Sequence, residues 1–156
     1  SFLKIADILS PSLVIGFAIG RIGCFLNGCC YGKVSGQWGV SYPAAGNPPA
    51  FAQQVFDGLL GSGAHCSLPV IPTQLYESLS GIAIFLILLT LEKQRRFEGF
   101  LFWMFLLLFS VSRFIVEPFR QYEQNFFLFS TFTVSQLISV LLALLALFFL
   151  QRGYRK

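Results

Sequence analysis

Gly20-Arg21-Ile22-Gly23-Cys24-Phe25-Leu26-Asn27-Gly28 decides how the rest of the chain is read, because it sets a permanently charged guanidinium inside an apolar segment long enough to lie in a bilayer. Arginine at the centre of a membrane helix costs roughly 2.5 to 3.5 kcal/mol on insertion scales, so one that is kept there usually faces a polar cavity, a partner group or an anionic ligand. Gly16, Gly20, Gly23 and Gly28 remove side-chain bulk around it and are expected to let another backbone or a lipid headgroup come close. The stretch reads as half of an anion clamp.

Composition agrees with a membrane setting. Of 156 residues, 55% are hydrophobic and only 12% charged, with a mean hydropathy of +0.70; charged residues make up about a quarter of an ordinary soluble domain. Nineteen phenylalanines argue against disorder and against a wholly wetted surface. The net charge of +4 would raise nucleic acid as a partner in a soluble chain, but here the basic residues cluster at the ends of apolar spans, and no nucleic acid is expected.

Crossing the hydrocarbon core takes about twenty apolar residues. Four such spans can be drawn, at about Leu9 to Cys29, Pro72 to Leu91, Gly99 to Phe119 and Phe132 to Leu150. The expected fold is therefore all-α, a single polytopic helix bundle over 1–156. Ser10-Pro11 reads as the opening of the first helix, Ser10 as cap and Pro11 in the first turn. Between the first two spans, residues 31–71 read as an ordered extracytoplasmic or re-entrant loop, in which Pro43, Pro48 and Pro49 break any helix and Trp38 and Tyr42 suit an interface.

Lys4, Lys93, Arg95, Arg96, Arg152, Arg155 and Lys156 fall on one side and only Lys33 and Arg120 on the other, which puts both termini in the cytoplasm and the long loop outside. Arg21, Glu77, Arg113 and Glu117 then lie in the outward halves of three different spans and are expected to share one cavity. A guanidinium offers a planar fork of donors that fits phosphate oxygens bidentately, so Arg21 and Arg113 are the candidate phosphate ligands. Arg120, nearer the rim, is a candidate for a headgroup. Glu77 and Glu117 are candidates to orient the arginines, Arg113 and Glu117 sharing a helix face at i, i+4. Asn27, Gln74 and Tyr76 add uncharged groups at the outer rim. The competing reading is that these charges are internal ion pairs that only fix helix packing.

Cys24, Cys29, Cys30 and Cys66 lack the paired C-x-x-C spacing of a zinc site, so no metal is expected. A disulfide from Cys29 or Cys30 to Cys66 is one option in an oxidising compartment, and small apolar filling is the other. The single histidine, His65, lies in the long loop and is not expected to be catalytic.

Three blocks, Gly20 to Gly28, Pro72-Thr73-Gln74-Leu75-Tyr76-Glu77 and Arg113-Phe114-Ile115-Val116-Glu117-Pro118-Phe119-Arg120, resemble in order those of the bacterial phosphatidylglycerol:prolipoprotein diacylglyceryl transferase family. The resemblance implies a seven-helix inner-membrane enzyme that moves a diacylglyceryl group from phosphatidylglycerol to the lipobox cysteine thiol of a prolipoprotein, with no cofactor. It implies Arg21, Arg113 and Glu77 as catalytic residues, with Arg21, Asn27, Tyr76, Arg113, Glu117 and Arg120 as substrate-binding ones. Cys24 and Cys29 stand where the family usually has Asn and Glu, and Ile71 where it often has His. The family's His-Gly-Gly block is absent, and with Ser1 at the start and four spans instead of seven, the chain is expected to be the carboxy-terminal part of a longer protein. The alternative is a non-catalytic phospholipid-binding membrane subunit that retains the arginines. A transporter with paired intramembrane charges would show a repeated half, and none is visible.

Overall fold

The computed structural model describes residues 1–61, 63–121, 127–128 and 132–155. Four helices among these are long and apolar enough to cross a membrane: α1 (Phe2–Asn27), α3 (Thr73–Glu92), α4 (Phe100–Val116), carried on by a 3-10 turn over Glu117–Phe119, and α5 (Val134–Tyr154). Helices meet the demand that hydrocarbon imposes, since every backbone N–H and C=O within a span must be satisfied inside the segment. A short helix, α2 (Pro49–Phe56), lies in the loop, and β1 (Phe127–Leu128) pairs with β2 (Phe132–Thr133) in a two-residue antiparallel ladder just before α5. The expected all-helical bundle of about four spans is the fold observed.

α1 packs on α3 and α4, and α4 packs on α5. At the first of these seams Gly81 faces Ala18, where an added Cβ would stand 3.0 Å from the Ala18 Cβ, and the Ser78 hydroxyl donates to the Ala18 carbonyl at 2.9 Å. Phe17 meets Phe109 edge to face at 5.0 Å, and Trp103 stacks on Phe149 at 4.3 Å. Gly16, Gly20 and Gly23 have open space where a Cβ would be. The close approach expected at these three glycines is not made within the described chain; it is made at Gly28, the fourth of the expected set, and also at Gly81.

The start of α1 departs from the sequence reading. The helix begins at Phe2, so Ser10 is not its cap and Pro11 lies inside it. Pro11 has no N–H to give the preceding turn, while the Ser10 hydroxyl donates back to the Ala6 carbonyl at 2.7 Å. What holds the extra turns is Asp7. This buried carboxylate accepts from the backbone N–H of Gly99 at 2.7 Å and of Phe102 at 2.9 Å, so it caps α4 from another helix. The first N–H groups of a helix have no partner within it and carry its positive dipole end, which is why an anion is bound there. Arg21 consequently sits in the last two turns of α1, about 9 Å from its end at 1.5 Å per residue, not midway along it.

The loop is ordered. Contrary to the expectation that its prolines break any helix, Pro48 and Pro49 open α2, Pro48 as cap and Pro49 in the first turn, where a missing N–H costs nothing. Val70 bridges to both Val34 and Val40, and the Gln54 carboxamide clamps Leu68 by accepting from its N–H at 2.7 Å. Tyr42 is buried with Ala50 and Val70, so it is a core residue of the loop and not an interfacial one; Trp38 is exposed. Burial pushes the Tyr42 phenol above the usual tyrosine range. Gly32 threads between the start of α3 and the end of the 3-10 turn, its N–H on the Ile71 carbonyl at 2.8 Å, and a Cβ there would strike the Phe119 carbonyl oxygen.

Replacing Asp7 by Ala removes a cap that spans two helices, and a loss of about 2 kcal/mol is expected; thermal unfolding in detergent should show it, with Asp7→Asn losing less because one acceptor oxygen remains.

Candidate active site

The buried Glu77 carboxylate, one turn into α3, is the centre of the site. Three guanidiniums converge on it. Arg21 from α1 places Nε 2.8 Å from Oε2, Arg113 from α4 hydrogen-bonds Oε1 through Nη1, and Arg120, just past the 3-10 turn, reaches Oε1 at 3.2 Å. The other Arg113 terminal nitrogen lies 3.3 Å from Glu117 Oε2 and donates to the Ser135 hydroxyl at 3.1 Å. Glu117 is held in turn by the Thr133 hydroxyl, which donates to Oε1 at 2.7 Å.

Local sequence explains how each group is delivered. Pro72 ahead of α3 lets Glu77 face inward near its start. Pro118 ends the α4 ladder at Glu117–Phe119, so the chain turns and Arg120 comes back under Glu77. Thr133 and Gln136 form a reciprocal capping box at the start of α5, both bonds at 3.2 Å, which pins Thr133 where it reaches Glu117. Arg21 also lies over the Phe17 ring, 4.9 Å from its centroid.

Among the described residues, three guanidiniums, which stay protonated at any ordinary pH, gather around two buried carboxyl groups. The arginine side chains keep 18%, 18% and 15% of their exposure while both glutamates are almost fully buried. The acids therefore form the floor and the cations the accessible face. Of two further spaces, one is lined in part by Arg120. A cavity of about 480 Å³ is lined by Cys30, Tyr31, Gln53, Phe56, Asp57, Arg120 and Gln121. An apolar groove of about 430 Å³ runs between α3 and α4 past Tyr76, Ser80, Ile84, Leu108, Ser112 and Val116. The first space offers polar groups, Arg120 and Asp57 among them, and the second offers mostly apolar ones.

The cluster thus contains Arg21, Glu77, Arg113, Glu117 and Arg120. Tyr76 stands outside it, half-exposed on the groove and packed edge to face on Phe119 at 6.5 Å. Asn27 is exposed at the end of α1. Gln74 is not a rim group; it is fully buried and donates to the Cys29 carbonyl at 2.7 Å. Thr133 and Ser135 were not among the sequence candidates. The Thr-x-x-Gln spacing marks a capping box, yet nothing local says that the capping hydroxyl also serves a glutamate sixteen residues earlier.

Cys24, Cys29, Cys30 and Cys66 are all free thiols, so neither disulfide to Cys66 is formed. His65 is exposed in the loop. The Sγ atoms of Cys24, Cys29 and Cys30 lie within 4.8 Å of one another. The spacing rule that expects no metal reads ligand pairs along the chain and does not see the reversal at Gly28 that gathers these three.

Residues 1–152 match the family model described as prolipoprotein diacylglyceryl transferase. The chain belongs to that family. It is 34% identical over 94% of its length to a phosphatidylglycerol–prolipoprotein diacylglyceryl transferase of Geobacter sulfurreducens, covering 50% of that protein. It is 32% identical over 99% of its length to the one of Proteus mirabilis, covering 54%, and 33% identical over 90% of its length to that of Chlorobaculum tepidum, covering 43%. The chain spans about half the length of the curated relatives it matches. Within this family, the cluster on Glu77 is where the first, second and third sequence blocks meet.

Glu77→Gln takes the shared buried charge from Arg21, Arg113 and Arg120, and removing one partner of a buried ion cluster costs about 3–5 kcal/mol; the thermal midpoint should fall accordingly, whereas Thr133→Val, which strips one donor from Glu117, should cost about 1–3 kcal/mol.

Proposed function

We propose that this chain forms part of an enzyme that transfers the diacylglyceryl group of phosphatidylglycerol to the cysteine thiol of a prolipoprotein lipobox. Three arginines that converge on one buried acid while each keeps part of its exposure carry the reading, together with the apolar groove between α3 and α4. Arg21 and Arg113 bind the lipid phosphate and act catalytically, with Glu77 holding both forks; Arg120, Glu117, Tyr76 and Asn27 support substrate binding. The relatives named for this activity, and the family match over residues 1–152, support the same assignment.

The thiol sulfur attacks the glyceryl carbon that bears the phosphate oxygen. The carbon–oxygen bond breaks, and glycerol phosphate leaves with the bonding electrons. Negative charge grows on the leaving phosphate, and guanidiniums already in place stabilise it without reorganisation. The thiol proton goes to a base outside this cluster, since an arginine cannot accept it; the resemblance assigns that task to a His-Gly-Gly block in the other half of the enzyme. In this reading the four helices belong to a longer, seven-helix protein of the bacterial plasma membrane. The basic ends, from Lys4, Lys93, Arg95, Arg96, Arg152 and Arg155, face the cytoplasm, as would Lys156, which lies outside the described residues; the 31–71 loop and the site open outward.

The full-length protein, reconstituted with phosphatidylglycerol and a lipobox peptide, should add a diacylglyceryl mass to the peptide. Arg21→Ala is expected to cut turnover about 10²- to 10³-fold, and Arg113→Lys to impair it strongly despite the retained charge. Undiminished transfer by Arg21→Ala would sink the assignment; lipid binding without transfer by the intact protein would favour a non-catalytic lipid-binding subunit.

A further inference from the structure

α1 ends in a reversal that stacks thiols. Gly28 takes the left-handed conformation at φ +69°, its N–H bonds the Phe25 carbonyl at 3.1 Å, and the Cys29 N–H bonds the Cys24 carbonyl at 3.1 Å. This pair of bonds is a Schellman motif, in which the residue after the glycine is laid over the one five positions earlier, usually as an apolar contact. Here that contact is Cys29 on Cys24. Cys30 follows at φ +60°, a region few side-chain-bearing residues adopt. Two buried groups of α3 hold the reversal in place, Gln74 donating to the Cys29 carbonyl at 2.7 Å and Thr73 to the Cys30 carbonyl at 3.1 Å.

We propose that Cys24, Cys29 and Cys30 form a three-thiolate site for a soft divalent cation of the zinc class, outside the arginine cluster and independent of the transfer reading. The sulfurs lie within 4.8 Å of one another. Three sulfurs each about 2.3 Å from one zinc stand roughly 3.8–4.0 Å apart, so contraction by less than about 1 Å closes the site. Cys30 is exposed, which leaves the fourth tetrahedral position open to water or an incoming ligand. Binding replaces three S–H bonds with three sulfur–metal bonds and releases three protons; no electron moves. Cys66, paired in a backbone bridge with Pro43, is no part of the site.

The test uses the full-length protein in detergent, reduced with a phosphine, stripped with chelator and titrated with zinc(II), with cadmium(II) as the spectroscopic probe. Expected are one ion per chain, a sulfur-to-cadmium charge-transfer band, a zinc-dependent rise in thermal midpoint and protection of three thiols from alkylation. Cys24→Ser and Cys29→Ser should each weaken binding by about 100-fold or more, beyond the 10–100-fold typical of outer-layer partners, while their zinc-free midpoints report that they fold; Cys66→Ser should bind like the wild type. Binding that depends on Cys66, thiols alkylated equally fast with and without zinc, or loss of two hydrogens by mass in protein that takes up no ion would each overturn the proposal.

Discussion

One carboxylate shared by three arginines governs one end of this bundle. Glu77 receives Arg21 from α1 and Arg113 and Arg120 from α4 and the turn that follows it, so helices α1, α3 and the end of α4 cannot be positioned independently of one another. Charges in an apolar interior must be paired, and here one buried acid serves arginines from more than one segment of the chain.

The opposite end of the bundle uses the same physics for a different purpose. Asp7 binds the exposed N–H groups at the start of α4 and is matched one to one with its partners, leaving no surplus. Aromatic contacts seal the surroundings, Phe97 meeting Tyr154 at 6.0 Å and Arg96 lying over the Tyr154 ring at 5.2 Å. A buried carboxylate thus ties each end of the bundle, Asp7 at one and Glu77 at the other. The ordered loop packs at the Glu77 end, with Gly32 wedged against Phe119 beside Arg120.

Hydropathy determined the number and approximate limits of the membrane helices, because spanning hydrocarbon requires a run of apolar residues of set length whatever the neighbours are. The same logic singled out Arg21, Glu77, Arg113, Glu117 and Arg120, since each is costly where it stands. Residues whose local rules are ambiguous were read differently. Ser10-Pro11 has the form of a helix start, yet the helix runs through it because Asp7 is anchored on α4. Pro48-Pro49 opens a helix where prolines were expected to exclude one.

By itself, then, the sequence determined that the chain is a helical membrane bundle and which costly charges inside it had to find partners. Only tertiary structure decided who shares Glu77, that Tyr76 faces the apolar groove instead of the arginines, that Thr133 supports Glu117 from the start of α5, and that Cys24, Cys29 and Cys30 meet. The division has a physical cause. The cost of burying a charge belongs to the residue and its segment, whereas the partner that offsets it is chosen by how helices and turns far apart in the chain are brought together in space.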